Sequence, residues 1–135
     1  MAKKTVFTNG CFDVLHRGHI ELLEFCATQG KVIVGLNSDD SVKRLKGDSR
    51  PVFSQEDRKY ILQSCKYVNK VIIFDEDTPL ELVKRVKPDI IVKGGDYRSD
   101  EVVGKDVCDS VIIFNYIDGY STTKTIQNIN NRGFL

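Results

Sequence analysis

The chain has 135 residues, 41% hydrophobic and 29% charged, which is the size and composition of one globular domain with a single core. Its formal net charge of +1 argues against nucleic acid or an anionic membrane as the main partner. No apolar run is long enough to span a bilayer, and residues 1–4 lead into a predicted strand rather than a signal sequence. We therefore expect a cytoplasmic protein with reduced, mostly structural cysteines.

Both histidines of the chain lie between the first predicted strand and the first predicted helix. Residues 4–8 form an extended apolar run that ends at the turn residues 9–10, and helical periodicity begins near residue 17 or 18. His16 and His19 then share one face of the first helical turn. Gly18 between them would let a ligand approach the backbone. Together with the positive end of the helix dipole, these residues predict a phosphate site.

Two other interpretations of the histidine pair stay open at this point. Histidines three residues apart also occur by chance, on surfaces and in cores. A zinc site would need further ligands, and the chain has neither a third histidine nor two cysteines at ligand spacing. Cys11 is close enough to be considered as a nucleophile, but phosphate chemistry here needs no thiol, so we expect a small packing residue.

The rest of the chain alternates predicted strands with predicted helices. Continuous apolar runs predict buried strands at residues 31–36, 70–74, 89–92 and 111–114. Helical patterns or capping residues predict helices at residues 41–46, after 54–57, after 77–79 and after 121–124. This alternation predicts an α/β fold with a parallel sheet covered on both faces, in a single domain that spans residues 1–135.

Polar clusters follow the first, fourth and fifth predicted strands, at residues 9–19, 93–97 and 118–124. Right-handed crossovers bring the carboxyl ends of these strands to one edge of the sheet, where open α/β sheets bind ligands. Asp96 is the best-placed carboxylate for a sugar hydroxyl, a ribose or magnesium, although Gly-Gly-Asp is also an ordinary turn.

Basic residues follow the second predicted strand, and they either fold over a ligand or form a solvated face: Lys43, Lys46, Arg50 and Arg58. Three hydroxyl residues, 121–123, exceed what one helix cap needs and would offer donors to phosphate oxygens. Glu76 and Asp77 have the pattern of ordinary helix capping.

Several common catalytic sites are excluded. The chain has no catalytic triad, no Gly-x-x-x-x-Gly-Lys-Ser/Thr loop and no Gly-x-Gly-x-x-Gly motif. A site rich in phosphate donors but without a protein nucleophile suits direct displacement at a nucleotide phosphorus by an anionic substrate. Positioning and charge stabilisation would then supply the catalysis.

The segment Asn-Gly-Cys-Phe-Asp-Val-Leu-His-Arg-Gly-His at residues 9–19 resembles the HxGH signature of the cytidylyltransferase-like nucleotidyltransferases. Residues 119–124 resemble the second, Ser/Thr-rich signature of the same family, and the likeness covers nearly the whole chain. It implies a Rossmann-like three-layer sandwich with a five-stranded parallel sheet.

Two branches of this family compete. Segments 37–47, 50–52, 76–79, 92–97 and 118–123 resemble heptose 1-phosphate adenylyltransferases. Glycerol-3-phosphate cytidylyltransferases carry Arg-Thr-Glu-Gly where this chain has Tyr-Ile-Asp-Gly at 116–119, although Lys124 favours that branch slightly. A non-catalytic nucleotide-binding module is disfavoured because both signatures are intact.

The resemblance implies roles for individual residues. Catalysis is expected from His16, His19, Lys46 and Arg58. Nucleotide binding is expected from Asn9, Gly10, Cys11, Phe12, Gly18, Lys93, Gly94, Asp96, Tyr120, Ser121, Thr122 and Thr123. Mg²⁺ should accompany the nucleotide, with Asp13 as the candidate protein ligand. The expected substrates are a nucleoside triphosphate and a phosphorylated sugar or polyol, and the expected assembly is a homodimer.

Overall fold

The computed structural model describes residues 3–95, 98–115 and 120–133. Its regular elements, in chain order, are β1 (Thr5–Gly10), α1 (Arg17–Gln29), β2 (Lys31–Asn37), α2 (Asp39–Lys46), α3 (Gln55–Gln63), β3 (Lys70–Phe74), α4 (Leu80–Val86), β4 (Ile90–Gly94), a 3₁₀ turn (Ser99–Glu101), β5 (Ser110–Phe114) and α5 (Thr122–Asn131).

The five strands form one parallel sheet in the order β3-β2-β1-β4-β5. The predicted α/β fold with a five-stranded parallel sheet is therefore confirmed. The chain winds outward from β1 to β3 and then returns to place β4 against the other side of β1. Such a reversal opens a crevice outside the carboxyl ends of the two central strands, where doubly wound sheets bind ligands.

Two apolar cores cover the two faces of the sheet and complete the three-layer sandwich. Adjacent strand residues point to opposite faces, so Val6 lies in one core and Phe7 in the other. The first core includes Leu22 of α1 and Leu62 of α3, and the second includes Leu82 of α4. Helices α1 and α3 thus lie opposite α4 across the sheet.

Two local predictions differ from the structure. Residues 9–10 are not a turn but the last residues of β1, because β2 continues far enough for Gly35 and Leu36 to pair with them. The expected capping by residues 76–77 is also wrong. The N-cap of α4 is Pro79, which makes no side-chain capping bond.

None of the helices in the described ranges is long and apolar enough to cross a membrane.

Candidate active site

The two histidines form the N-terminal cap of α1. His16 is the N-cap residue, and its Nδ1 accepts a hydrogen bond from the backbone N–H of Gly18 at 3.0 Å. His19 closes the box, because its Nδ1 accepts from the backbone N–H of His16 at 3.2 Å. The two rings stack with their centroids 3.8 Å apart. Imidazoles here replace the hydroxyl and carboxyl groups of an ordinary capping box.

The capping hydrogen bonds set the tautomer of both rings, and burial lowers their pKa values. A ring nitrogen that accepts a hydrogen bond carries no proton, so the proton of each neutral ring lies on Nε2. Burial, helped by the neighbouring His16 and opposed by Asp13, lowers the pKa of His19 to about 3. Burial also lowers the pKa of His16. At neutral pH the site therefore holds two uncharged imidazoles, each with an Nε2–H group as a hydrogen-bond donor.

The structure gives Gly18 a different role from close ligand approach. A Cβ at this position would lie 2.9 Å from Cε1 of His16 and 3.2 Å from Cβ of Tyr120. The absence of a side chain thus allows the imidazole of His16 to fold back onto the helix start. The ring of Tyr120 lies beyond it, with its centroid 6.4 Å from that of His16.

A cavity of about 540 Å³ lies at the carboxyl edge of the sheet. The loops that follow the central strands β1 and β4 meet there with the start of α5, as the topology predicted. The predicted site residues that line it are Asn9, Gly10, Cys11, Phe12, Asp13, Lys46, Lys93, Gly94, Ser121, Thr122 and Thr123.

Five other predicted residues are not part of the cavity wall. His16, His19, Gly18 and Tyr120 lie beside one another at the start of α1, next to Phe12, whose ring centroid is 5.3 Å from that of His19. Arg58 is buried beneath the loops. Asp96 lies outside the described residues, as do residues 118–119 of the second signature.

The sequence interpretation missed part of the cavity wall. Arg50, named above in the basic group, lines the cavity as well. The lining residues that the sequence interpretation did not single out are Asn37, Leu45, Asp77, Thr78, Pro79, Glu101, Val102 and Val103. Most of them follow α2, β3 or β4 at the same edge. The rule that all post-strand loops converge would have found the loop after β3, which was instead assigned to capping. Asp77 accepts a hydrogen bond from Arg44 Nε at 2.8 Å.

Asp13 holds the loop that contains Val52 and Phe53. Its side chain is fully buried, and its carboxylate accepts hydrogen bonds from the backbone N–H of Val52 at 2.7 Å and of Phe53 at 3.0 Å. Arg50 Nε donates a third at 3.2 Å. These three donors engage both oxygens, so the predicted contact between Asp13 and magnesium would have to compete with them. The described ranges contain no cluster of three or more metal-ligating side chains. Magnesium carried by nucleotide phosphates stays a prediction.

Arg58 also serves the architecture of the site. It is only 1% exposed, and Nε donates to the carbonyl of Phe53 at 2.9 Å. Nη1 donates to the carbonyls of Cys11 and Asn37, both at 2.8 Å, and Nη2 donates to the Asp39 carboxylate at 2.8 Å. This geometry does not match the expected contact with substrate phosphates. Arg58 instead ties together three loops that surround the cavity.

The hydroxyl residues of the second signature divide their roles. Ser121 is the N-cap of α5 and accepts from the backbone N–H of Lys124 at 3.0 Å. Thr122 donates to the backbone carbonyl of Asp13 and so joins the two signatures. Thr123 Oγ1 accepts from Arg50 Nη1 at 3.4 Å. The start of α5 therefore faces the cavity with its positive dipole end.

Burial shifts the pKa of two further residues of the cavity wall, Cys11 and Lys93. Burial raises the pKa of the Cys11 thiol, against the opposing influence of Lys46, Arg58 and Arg50. Cys11 is thus a neutral thiol at physiological pH and a poor nucleophile. Burial also lowers the pKa of Lys93. The positive charge of Lys46 lowers this pKa further, whereas Cys11 raises it.

Comparison with known proteins agrees with this geometry. The cytidylyltransferase-like family matches residues 7–128. The chain is 53% identical to the Bifunctional protein HldE of Aliarcobacter butzleri over 96% of this chain and 27% of the relative. It is 55% identical to the protein of the same name from Nitratiruptor sp. over 94% of this chain and 28% of the relative. The chain thus spans little more than a quarter of the length of these relatives.

Solved structures show the same fold. A lipopolysaccharide core biosynthesis protein from Thermoplasma volcanium aligns with a TM-score of 0.73 and 27% identity, over 87% of this chain and all of that one. A pantothenate synthetase from Thermus thermophilus shares the fold at a TM-score of 0.60 and 16% identity, over 98% of this chain and 67% of that one. With both signatures at the crevice and the family match across most of its length, the chain belongs to the cytidylyltransferase-like family.

Proposed function

We propose that this chain is a nucleotidyltransferase domain that converts a nucleoside triphosphate and a sugar 1-phosphate to a nucleotide-activated sugar and pyrophosphate. ATP and D-glycero-D-manno-heptose 1-phosphate are the favoured substrates. One observation carries the proposal: two neutral imidazoles cap α1 beside a cavity that also receives the start of α5, Lys46 and Lys93. That arrangement provides phosphate donors around a site whose thiol is protonated.

The reaction needs no group from the protein as a nucleophile. A phosphate oxygen of the sugar 1-phosphate attacks the α-phosphorus of the nucleotide and forms a new P–O bond. The bond between the α-phosphorus and the oxygen bridging to the β-phosphate breaks, and pyrophosphate leaves with the electron pair. The Nε2–H groups of His16 and His19 would donate to the oxygens on which charge accumulates. Lys46 and Lys93 would add positive charge along the phosphates.

The heptose branch is supported in two ways. The relatives of about 50% identity are bifunctional HldE proteins, which supports the heptose 1-phosphate interpretation. The segment before the second signature lacks the arginine of the glycerol-3-phosphate branch. The transfer of CMP from CTP to glycerol 3-phosphate remains the alternative because of Lys124. A non-catalytic nucleotide-binding module is the third candidate.

A pyrophosphate-release assay with each pairing of ATP or CTP with the heptose 1-phosphate or glycerol 3-phosphate separates the three. We expect the highest kcat/KM for ATP with the heptose 1-phosphate, because a site built around hydroxyls discriminates against an acceptor that lacks them. A higher value for CTP with glycerol 3-phosphate would move the chain to the other branch. If no pairing releases pyrophosphate, the non-catalytic nucleotide-binding module is the remaining candidate.

Two further parts of the proposal come from the family resemblance. Magnesium would accompany the nucleotide phosphates, and removal of divalent cations from the same assay tests this. A homodimer would form, and sedimentation equilibrium tests the assembly.

A further inference from the structure

Arg50 connects the two signatures across the cavity. It belongs to the loop between α2 and α3, yet Nε donates to Asp13 of the first signature at 3.2 Å. Nη1 reaches Thr123 Oγ1 of the second signature at 3.4 Å. Its side chain is 12% exposed. The third nitrogen, Nη2, makes no hydrogen bond with any residue in the described part of the chain.

The loop that carries Arg50 is held by buried polar groups on both sides. The Asp13 carboxylate accepts from the N–H groups of Val52 and Phe53 as well as from Arg50. Arg58 holds the carbonyl of Phe53 from below at 2.9 Å. A guanidinium fixed at Nε by a carboxylate presents its two Nη groups in a set orientation. That pre-organisation reduces the entropy lost when an anion binds.

We propose that Arg50 binds the β- and γ-phosphates of the nucleotide and that Asp13 is the positioning residue that aims it. This inference rests on the proposed function and deepens it. A planar guanidinium with two Nη groups can make paired hydrogen bonds to phosphate oxygens. Nη1 would exchange its long 3.4 Å hydrogen bond to Thr123 Oγ1 for a bond to such a phosphate oxygen, or donate to both oxygens.

The position of Arg50 favours the nucleotide over the acceptor as the source of that phosphate. Arg50 also lines a second cavity of about 270 Å³ beside Thr123, Ile126 and Gln127 of α5. This places it beside the start of α5. Asp77 and Glu101 also line the main cavity, but they belong to other segments, after β3 and in the 3₁₀ turn after β4. Carboxylates accept hydrogen bonds from hydroxyls and repel phosphates, so those two side chains suit the polyol part of an acceptor.

Calorimetric titration with ATP and with inorganic pyrophosphate tests the inference without any acceptor. We expect Arg50→Ala to weaken both affinities about ten- to a hundredfold, which is the range for loss of a charge-assisted pair. Arg50→Lys should recover part of the loss. Arg85→Ala removes the same charge from an exposed position of α4 outside both cavities, and should bind as the wild type does.

Asp13→Asn tests the positioning role through a double-mutant cycle with Arg50→Ala. If Asp13 acts through Arg50, Asp13→Asn weakens pyrophosphate binding when Arg50 is present. In the Arg50→Ala protein, Asp13→Asn then causes little further loss of affinity. Thermal melts identify any variant that fails to fold, and Arg50→Lys then carries the test.

The outcomes separate the two proposals. Unchanged ATP and pyrophosphate affinities in Arg50→Ala, or a rise only in the acceptor KM, would overturn the inference and leave the proposed function standing. Additive losses in the cycle would overturn the role of Asp13. A wild-type protein that binds neither ATP nor pyrophosphate would overturn the proposed function together with this inference.

Discussion

At the scale of single residues, His16 and His19 cap α1, and in the proposed mechanism the same two rings also donate to phosphate. Their Nδ1 atoms satisfy backbone N–H groups of the first turn of α1. Those hydrogen bonds hold the rings in the tautomer that presents Nε2–H. In the proposed mechanism, a capping interaction that normally serves helix stability would therefore also orient the donors to the transferred phosphate. Substitutions can separate the two roles.

His16→Asn and His19→Gln should retain the cap and lose the chemistry. Asn is a good N-cap residue and Gln fits the third helical position of a capping box. We expect kcat to fall by roughly two to three orders of magnitude for each variant, because each removes one donor to transition-state charge. His16→Ala loses the cap as well, and should in addition lower the free energy of unfolding by about 1 kcal/mol. Steady-state rates and thermal melts measure both effects, and near-normal turnover in a folded Asn or Gln variant would refute the proposed role.

The low pKa of His19 predicts a pH-dependent stability. Its ordinary pKa of 6.5 applies to the unfolded chain, whereas burial lowers the pKa to about 3 in the folded protein. Between these values the unfolded chain binds a proton that the folded protein does not. The free energy of unfolding should therefore fall as the pH drops through this window, by up to about 1.4 kcal/mol per pH unit from this group.

Urea denaturation at a series of pH values measures this slope, and His19→Gln should reduce it. Proton NMR of the imidazole provides a direct check. A His19 resonance that titrates near pH 6.5 in the folded protein would contradict the buried neutral state.

At the scale of elements, the site is built where two helices begin. The cap of α1 carries the histidines, and the cap of α5 carries Ser121. Each helix start also carries the positive end of the helix dipole. Helix α3 contributes differently, because Arg58 projects beneath the cavity and binds the ends of β1 and β2 through the carbonyls of Cys11 and Asn37.

Arg58→Met should therefore destabilise the fold. It leaves three carbonyls and the Asp39 carboxylate without their partner. Each unsatisfied buried acceptor costs about 1–3 kcal/mol, so we expect a loss of about 3–5 kcal/mol in total. Arg44→Met is the matched control, since it removes an exposed pair in which the Arg and Asp side chains are 45% and 64% exposed. That pair contributes about 1 kcal/mol or less. Chemical denaturation measures both. A folded Arg58→Met protein of normal stability that fails to bind ATP would instead support direct phosphate contact.

At the scale of the whole molecule, the strand order creates the site. Strand β1 contacts β2 on one side and β4 on the other, so the first signature lies at the point where the winding reverses. Residues from both ends of the chain meet there, as the bond from Thr122 to the Asp13 carbonyl shows. A ligand at this point joins distant segments and should stabilise the entire fold.

Thermal unfolding tests this coupling. ATP at a hundredfold excess over its dissociation constant should raise the free energy of unfolding by about 2.7 kcal/mol, because it binds only the folded protein. Adenosine, which lacks the phosphates, should have a much smaller effect at the same concentration. Equal stabilisation by both would show that the cavity recognises the nucleoside and not the phosphates.

The sequence alone was sufficient for the architecture and for the convergence of the segments after β1 and β4 with the start of α5. Alternating apolar runs and helical periodicity are local properties, and the handedness of crossovers then brings the loops after the strands to one edge. Residues 9–19 and the hydroxyls at 121–123 could be placed together on that basis. The predicted bounds of β3 are confirmed, and α1 begins at Arg17, one of the two predicted start residues.

Only the tertiary structure decided what individual polar side chains do there. Arg58 and Asp13 were expected to hold phosphate and magnesium, but the fold brings acceptors and donors within 3.2 Å of them from segments 19 to 47 residues away. Spacing along the chain does not encode these encounters. A buried charge takes the partners that the packed fold provides, because leaving it unpaired costs several kcal/mol. The same motif residues therefore divide into those that face the cavity and those that hold its walls.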